Sequence, residues 1–424
     1  MSKATWITRV HGRRVWDSRG RPTLEAEVTL AGGVRGRAIA PAGASTGSGE
    51  ALDLRDGGSA FGGYDVCRAL AGIGEEIAGA LEGLDAADQE VVDARLIELD
   101  GTPEKRRLGA NACVAVSMAT AHAAAAAAGL PLWQYLKPDG AALPLPEIQI
   151  FGGGAHAGRR VDIQDFMVVC PGAASFAEAL DWTAEVYRAA GLLMAEAGAL
   201  QGVADEGGFW PAFSSNEQAL EVLVRAIERA GYRPLEQVAI ALDVAASEFG
   251  RGGRYRLGLE ARGLDTDGMI ALLLGWIGTY PIVSVEDPLA EDDLEGTAAF
   301  TQAIGGRAQV VADDLAVTDP ARVRALAAAG AADTLLIKPN QRGTLSEAKA
   351  AWDAARAAGW GGIVSARSGE TEDVTIVHLA VGWGAPQLKV GSFARSERMA
   401  KWNEALRIEE ALGSSARLAR PFGT

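Results

Sequence analysis

The sequence predicts a β/α barrel preceded by a smaller domain, and three observations support this fold class. The chain has 424 residues, too long for one ordinary domain but enough for a barrel of roughly 250 residues and a partner domain. Between residues 238 and 338 it contains four short apolar runs, VAIALD, PIVSVE, AQVVAD and TLLIK. These runs are rich in β-branched residues and alternate with helical patterns, which is typical of buried parallel strands joined by crossover helices.

Every one of these runs ends on a charged residue: Asp243, Glu286, Asp313 and Lys338. The C-terminal strand ends form the active face of such barrels, so we expect these side chains to converge. Hard oxygen ligands suit Mg²⁺, and a lysine near a divalent cation can be neutral and act as a base. The alternative is four unrelated, solvated charges. We prefer convergence because catalytic residues of this fold come from the ends of different strands.

The part before the barrel has a different pattern. TWITRVHGRRVW and LEAEVTLAGGVRGRAIA alternate apolar and polar residues around a Gly-Gly turn, which predicts an antiparallel meander. Helical patterns follow at residues 65–81, 85–99 and 110–130, and Gly129 and Pro131 end the last one. A Pro/Gly-rich hinge then precedes the barrel. We therefore predict domains at residues 1–139 and 140–424.

Residues 41–49, PAGASTGSG, are small and flexible. This composition suits either a linker or a lid that closes over a phosphate, and it does not decide between them.

Further candidate site residues lie on the barrel. Asp205 and Glu206, in VADEGGFWP, suit a general acid with a raised pKa or an ordinary surface turn. His156 is a loop histidine, and such residues are more often solvated than catalytic. Gln164 and Asp165 begin an apolar run and are equally well explained as polar strand residues.

Two positions near the C-terminus suit anion binding. Arg367 and Ser368 follow an apolar run, and an arginine fork beside a hydroxyl and a glycine suits a phosphate. The alternative is an arginine paired with the neighbouring Glu370. Lys389, in QLKVGS, is expected to end a further strand and is a second cation able to meet a carboxylate.

Composition limits the function classes. The net charge is −15 and there is no basic block, which argues against nucleic acid or anionic membrane partners, and an anionic substrate would need a metal. Cys67, Cys113 and Cys170 lack paired spacing, which favours a reducing compartment, and we expect each to be a core thiol. The N-terminus does not resemble a signal peptide, and no run is expected to be long enough to span a bilayer. We expect a cytoplasmic enzyme.

Ordered motifs carry a resemblance along nearly the whole chain. They are WDSRGRPTLEAEV, PAGASTG, DIQDFM, DEGGF, ALDVAASEF, SVEDPL, ADDL, LLIKPNQ, SARSGETED, GSFARSER and LRIEE. With them the chain resembles the enolase family. The resemblance implies a small N-terminal α+β domain capping a C-terminal β/α (TIM-like) barrel with an irregular start. It also implies a homodimer or higher homo-oligomer and a small phosphorylated carboxylate as substrate.

The resemblance also implies roles for individual residues. Asp243, Glu286 and Asp313 would hold Mg²⁺, and Ser45 on the mobile loop would help to hold a second Mg²⁺. Lys338 would remove the proton α to the substrate carboxylate, and Glu206, in an acid network with Asp165, would assist departure of the β hydroxyl. The substrate-binding set would be Lys389 for the carboxylate, Arg367 and Ser368 for the phosphate, and His156 and Gln164 lining the pocket.

Several positions depart from the family pattern. Ala366 stands where enolases carry His, which removes a hydrogen-bonding cation beside Arg367. Asp165 stands where they carry Glu, so this carboxylate is shorter by one methylene. The remaining departures are Gly152 for Asn, Ala42 for Ser, Gly49 for His, Arg21 for Asn and Arg342 for Ile.

Three interpretations of function follow. The preferred one is a specialised relative, similar to the carboxyphosphonoenolpyruvate synthases of phosphonate antibiotic pathways, because Ala366 opens space and near-attack geometry tolerates little displacement. The second is an ordinary enolase interconverting 2-phosphoglycerate and phosphoenolpyruvate, because the metal and base set is complete. The third is a non-catalytic binding protein, which would have no need of Mg²⁺.

Overall fold

The computed structural model describes residues 3–44, 46–137 and 142–422. Its N-terminal part begins with a three-stranded sheet in the order β1-β2-β3. The strands are β1 (Ile7–Trp16), β2 (Pro22–Leu30) and β3 (Arg35–Ile39), and both pairings are antiparallel. The expected meander is confirmed.

Five helices complete this N-terminal part within the described residues. They are α1 (Cys67–Gly72), which continues through a π-helical turn (Ile73–Ile77) into α2 (Ala78–Leu81), then α3 (Gln89–Asp100), α4 (Ala110–Ala127) and α5 (Leu132–Leu136). The alanine run makes α4 a strong helix, and the chain turns away at Gly129 with a φ of 71°.

Helix α4 corrects one expectation. By length and composition alone it is apolar enough to cross a membrane, whereas no run of that kind was expected. In the structure 83% of it is buried, and it packs against β2 and β3. It is therefore the core helix of the N-terminal part.

Eight strands close into a barrel. In order around it they are β4 (Leu145–Gly152), β5 (Asp165–Val169), β6 (Ala239–Asp243), β10 (Ile282–Glu286), β11 (Gln309–Ala312), β12 (Thr334–Ile337), β13 (Gly361–Ser365) and β14 (Gln387–Ser392). Strand β5 is antiparallel to both of its neighbours, and the other pairings are parallel. This is the irregular start that the family resemblance implies.

Helices surround the barrel. They are α6 (Phe176–Glu196), α7 (Asn216–Arg229), α8 (Thr266–Thr279), α9 (Leu294–Ile304), α10 (Pro320–Ala329), α11 (Leu345–Ala357), α12 (Thr375–Trp383) and α13 (Ser396–Leu412). A small antiparallel sheet of β7 (Gly250–Arg251), β8 (Arg254–Leu257) and β9 (Arg262–Asp265) fills the long spacing between β6 and α8. Ser175, Ser215 and Thr344 cap α6, α7 and α11 by accepting from backbone N–H groups.

The N-terminal part covers the end of the barrel where the charged strand ends lie. Asp93 on α3 accepts hydrogen bonds from Ser117 on α4 and from Ser346 at the start of α11. Because α11 follows the C-terminal end of β12, this contact lies on the predicted active face. The expected domain boundary falls within residues 138–141, outside the described residues.

The cysteines match the expectation only in part. Cys113 and Cys170 are buried, but Cys67 is exposed. Cys67 begins α1, where its Sγ lies 3.5 Å from Asp65 Oδ2 rather than in the core. The prediction of a core thiol is wrong for this residue.

Candidate active site

The predicted strand-end charges lie together at one end of the barrel. Asp243 and Glu286 are the last residues of β6 and β10, and the register of these strands pairs them directly. Asp313 and Lys338 directly follow β11 and β12. The three carboxylates are buried and Lys338 is half-buried. The alternative of four solvated charges is therefore wrong.

Two lysines neutralise these carboxylates. Lys389 Nζ donates to Asp243 Oδ2 at 2.8 Å and to Glu286 Oε2 at 2.7 Å, and Lys338 Nζ donates to Asp313. Within the described part of the chain, the three predicted metal ligands do not form a group whose oxygens all lie within 4.8 Å of one another. Lys389 holds Asp243 and Glu286, whereas Asp313 is held by Lys338. Lys389 also lies inside β14 rather than at its end, and the strand register shifts between Lys389 and Gly391.

The donor set fits Mg²⁺. Burial, and next the nearby charge of Asp243, hold the pKa of Glu286 well above its ordinary value, and Glu286 Oε1 is buried without a hydrogen-bond partner. Burial alone would raise the pKa of Asp313, but Lys338 outweighs it and the pKa is lowered. Buried carboxylates that repel one another are stabilised by a divalent cation, and hard oxygen donors are what Mg²⁺ prefers.

Asp313 also belongs to a second cluster of acidic residues, which the sequence analysis did not predict. Asp287, Asp313 and Asp314 bring ligand oxygens within 4.8 Å of one another. Asp287 accepts from the backbone N–H groups of Asp313 and Asp314 at 3.0 and 2.9 Å. Burial, and next Asp313, raise the pKa of Asp287 to about 8, while burial and Asp287 raise that of Asp314 to about 9. In the sequence, this cluster is indicated by the second acidic residue that follows the strand-end carboxylate in SVEDPL and in ADDL.

The reversed direction of β5 explains why Gln164 and Asp165 belong to this end of the barrel. Because β5 runs antiparallel, its first residues lie beside the last residues of β6, and Asp165 pairs in register with Asp243. Gln164 Nε2 donates to Asp243 Oδ2 at 3.1 Å. Both side chains are buried at the site and are not merely polar strand residues.

His156 links two carboxylates. Its Nδ1 lies 3.0 Å from Asp165 Oδ1 and its Nε2 lies 3.8 Å from Glu206 Oε1. Burial alone would lower the pKa of His156, but Asp165 and Glu206 outweigh it and raise this pKa to about 9. His156 and Glu206 are buried and Asp205 is half-buried, which excludes the alternatives of a solvated histidine and an exposed surface turn.

The guanidinium of Arg367 does not pair with Glu370. Its Nη1 donates to Glu50 Oε2 at 3.0 Å and to Asn340 Oδ1 at 3.2 Å. Glu370 instead accepts from the backbone N–H of Arg367 and pairs with Lys401 at 2.7 Å. Sequence reasoning missed Glu50, although it directly follows the flexible segment.

The flexible segment lies over the site. Arg19 Nη2 donates to Ala42 O at 3.0 Å, and its Nη1 lies 3.4 Å from Ser368 Oγ. Arg19 was also missed, although DSRG is part of a quoted motif. At the other end of the segment, Ser48 donates to Glu291. Ser45 lies outside the described residues, so its expected part in holding a metal stays a prediction.

These groups enclose a cavity of about 20 Å³, room for about one water. Its lining includes Gly43, Ala44, His156, Gln164, Asp165, Glu206, Asp243, Lys338, Ala366, Arg367, Ser368 and Lys389. Because the flexible segment contributes Gly43 and Ala44, its position favours a lid over a linker. Any ligand larger than about one water molecule requires these residues to move.

A much larger cavity, about 870 Å³, lies elsewhere, among α3, α5 and α11. Its charged lining includes Lys349 and Asp353, which already pair with each other at 2.6 Å. The small cavity is the better candidate, because buried charges from different strand ends converge only there among the described pockets.

Three of the seven departures from the family pattern, Arg342, Arg21 and Gly49, are not among the residues that line the small cavity. Arg342 pairs with Asp319 at 2.9 Å, and Arg21 lies 4.2 Å above the Tyr64 ring. A Cβ at Gly49 would meet Arg322 Nη2 at 2.3 Å. By contrast, Ala366 and Asp165 both line the small cavity directly.

A β/α barrel that gathers buried carboxylates, two lysines and an arginine beneath a loop defines a barrel enzyme for a small anionic substrate. Comparison with known proteins narrows this class. A family model described as "Enolase, C-terminal TIM barrel domain" matches residues 140–421, and one described as "Enolase, N-terminal domain" matches residues 7–136. The protein named "Enolase" from Rubrobacter xylanophilus is 51% identical over 414 residues, covering 97% of this chain and 96% of its own.

"Enolase 1" from Desulfitobacterium hafniense is 48% identical over 415 residues, covering 97% of this chain and 95% of its own. The chain belongs to the enolase family, and it is a lyase of that family.

Proposed function

We propose that this protein is an ordinary Mg²⁺-dependent enolase that interconverts 2-phosphoglycerate and phosphoenolpyruvate. The observation that carries this proposal is the placement of Lys338 and Glu206 on the cavity that Asp243 also lines. Relatives at 51% and 48% identity are both named as enolases, which favours this activity over the specialised phosphonate chemistry first preferred. The departures at Ala366 and Asp165 alone do not support that specialisation.

In this proposal Lys338 removes the proton α to the substrate carboxylate. Burial alone would lower the pKa of Lys338, but its pairing with Asp313 raises it, so the side chain is an ammonium while that pair is intact. Asp243, Glu286 and Asp313 would hold Mg²⁺, which would supply the positive charge that stabilises the substrate anion formed when the proton leaves. If Asp313 served as a ligand, Lys338 would lose its ion-pair partner, which would favour the neutral amine that a base requires.

Glu206 assists departure of the β hydroxyl. It lines the same cavity as Lys338 but comes from a different element, so base and acid are separate groups and the two proton transfers can occur in sequence. His156 stands between Glu206 and Asp165 and keeps a positive charge beside both carboxylates. Asp165 thereby belongs to the acid network, and Gln164 orients Asp243.

The anionic ends of the substrate are bound by cations. Arg367 and Ser368 bind the phosphate, and binding requires Arg367 to exchange its contact with Glu50 for the phosphate oxygens. Lys389 binds the carboxylate after exchanging its contacts with Asp243 and Glu286. Assembly into a homodimer or higher homo-oligomer and a cytoplasmic location complete the proposal, and both rest on the family resemblance and the sequence.

The proposal is tested by NMR of 2-phosphoglycerate in D₂O with Mg²⁺. We expect phosphoenolpyruvate to appear together with deuterium at the α carbon. The Lys338→Ala variant is expected to lose both signals while its circular dichroism is unchanged. Lys349→Ala is the matched control, because Lys349 is a half-exposed helix residue that pairs with Asp353.

Other outcomes contradict the proposal at different steps. Deuterium entry without product would mean that proton removal works and hydroxide departure has been lost. If neither deuterium entry nor phosphoenolpyruvate is detected although Mg²⁺ is bound, 2-phosphoglycerate is the wrong substrate. Activated phosphonoformate derivatives would then be tried. Exchange that survives in Lys338→Ala would remove Lys338 from the role of base.

A further inference from the structure

Gln149 lies in the middle of β4 with its side chain fully buried next to the acid network. Its Nε2 donates to Asp165 Oδ1, and its Oε1 accepts from the backbone N–H of Gly208 at 2.8 Å. Because both ends of the amide are engaged, its orientation is determined. The amide thus ties Asp165 on β5 to the turn that carries Glu206.

Two glycines make room for this side chain. A Cβ at Gly208 would lie 2.4 Å from Gln149 Oε1. A Cβ at Gly152 would lie 3.2 Å from the same oxygen and 2.8 Å from Ala204 Cβ. Gly152 is one of the positions where the chain departs from the family pattern. Its lack of a side chain is explained by the space that Gln149 and Ala204 occupy.

The two carboxylate oxygens of Asp165 have different surroundings. Its Oδ1 contacts both Gln149 and His156 Nδ1, whereas its Oδ2 is buried without a hydrogen-bond partner and lies 3.8 Å from Lys389 Nζ. Without the amide, the carboxylate would be free to turn towards Lys389. His156 would then lose the partner that orients it towards Glu206.

We propose that Gln149 is a positioning residue, which holds the short Asp165 carboxylate against His156 and through it orients Glu206. The inference rests on the proposed function for its effect on turnover, but the contact itself is independent of substrate. The side chains of Gln149 and Asp165 together bridge the gap between β4 and β5. Shortening residue 149 by one methylene is therefore expected to be tolerated only if residue 165 is lengthened by one methylene at the same time.

The length exchange is the test. Gln149→Asn and Asp165→Glu are each expected to lower kcat about 10- to 100-fold with KM changed by less than about 3-fold, because small misplacements of acid–base groups are costly. The double variant Gln149→Asn/Asp165→Glu is expected to recover most of that loss. Gln149→Met keeps the approximate volume and removes both hydrogen bonds, so it is expected to behave like Gln149→Asn.

A second measurement does not depend on turnover. In ¹⁵N NMR the His156 ring of Gln149→Met is expected to titrate at lower pH than in the wild-type protein, because Asp165 moves away from Nδ1. The alkaline limb of the activity profile is expected to shift in the same direction. Because unfolding would also lower the His156 titration towards the ordinary histidine value, circular dichroism first has to show that Gln149→Met is folded. Recovery of kcat in the double variant is not expected from a folding defect.

Three results would overturn the inference. They are wild-type kcat in Gln149→Met, a double variant whose loss equals the product of the single losses, and an unchanged His156 titration in Gln149→Met. If the wild-type protein fails to convert 2-phosphoglycerate, the proposed function fails instead. The ring titration then still decides whether Gln149 positions Asp165 against His156.

Discussion

Ala366 is the single residue with the most direct bearing on substrate choice. It lines the small cavity, and its neighbour Arg367 is the cation proposed to bind phosphate. A methyl group offers neither a hydrogen bond nor a charge there. Compared with the histidine of the family pattern, the residue therefore leaves one polar contact fewer beside Arg367.

Ala366→His tests this effect. We expect kcat/KM for 2-phosphoglycerate to rise about tenfold, because an added hydrogen bond to a charged group typically contributes about 1.5 kcal/mol or more. Steady-state kinetics with 2-phosphoglycerate and, in the reverse direction, with phosphoenolpyruvate measure the change.

Ala366→Phe is the control for size, because it fills similar space without a hydrogen bond. It is expected to lower activity. If kcat/KM of Ala366→His does not rise, the loss of the histidine does not limit activity with 2-phosphoglycerate. Asp165 and the lid would then be the positions to test.

At the scale of elements, β3 packs closely against α4. Gly36 on β3 is buried against the helix, and a Cβ there would lie 2.2 Å from both Ala119 O and Ala123 N. These are backbone atoms, which cannot rotate aside. The alanine-rich face of α4 and the absent side chain at residue 36 together allow strand and helix to touch.

Gly36→Ala is therefore expected to lower the free energy of unfolding by about 3 kcal/mol or more, because helix and strand must separate. Urea unfolding followed by circular dichroism measures it. Gly275→Ala, within α8 and without any atom within 4 Å of the added Cβ, is the control. That variant is expected to be stabilised by about 0.5–1 kcal/mol. Equal stability of Gly36→Ala and the wild-type protein would contradict this account of the packing.

At the scale of the whole molecule, a histidine pair joins the two parts of the chain. His122 on α4 and His378 on α12 meet edge to face with ring centroids 5.9 Å apart, and His122 Nε2 lies 2.9 Å from Thr375 Oγ1. Glu404 Oε1 lies 3.5 Å from His378 Nε2. Burial lowers the pKa of both rings, and burial together with His122 lowers that of His378 to about 4.

The sign of the resulting pH dependence follows from linkage. The unfolded chain takes up a proton on His378 near pH 6.5, whereas the folded chain does so only near pH 4. Stability contributed by the neutral ring is present above pH 6.5 and is lost as the pH falls towards 4. We expect the wild-type protein to lose up to about 3 kcal/mol more than His378→Gln across this window.

Urea unfolding at pH 7.0, 5.5 and 4.5 measures the difference. His11→Gln, on β1 and away from the junction, is the control and is expected to follow the wild-type protein. If the free energy of unfolding depends on pH in the same way in the wild-type protein and in His378→Gln, burial of His378 does not oppose its protonation.

The sequence alone determined the architecture and the residues on the active face. Short β-branched runs, helical periodicity and the charges that end the runs are local properties, and local properties decide which segments become strands and which strand ends are charged. The meander, the barrel and the convergence of Asp243, Glu286, Asp313 and Lys338 were predictable for this reason. The irregular start came from the family resemblance rather than from periodicity.

Only the tertiary structure decided which charges meet. Glu50 and Arg367 are 317 residues apart, and Gln149 reaches Asp165 only because β4 and β5 are neighbours. Likewise Lys389 pairs with Asp243 and Glu286, which no local pattern indicates. Partners of buried charges are selected by packing and low dielectric between distant segments, because each buried charge takes the nearest opposite charge that the fold provides.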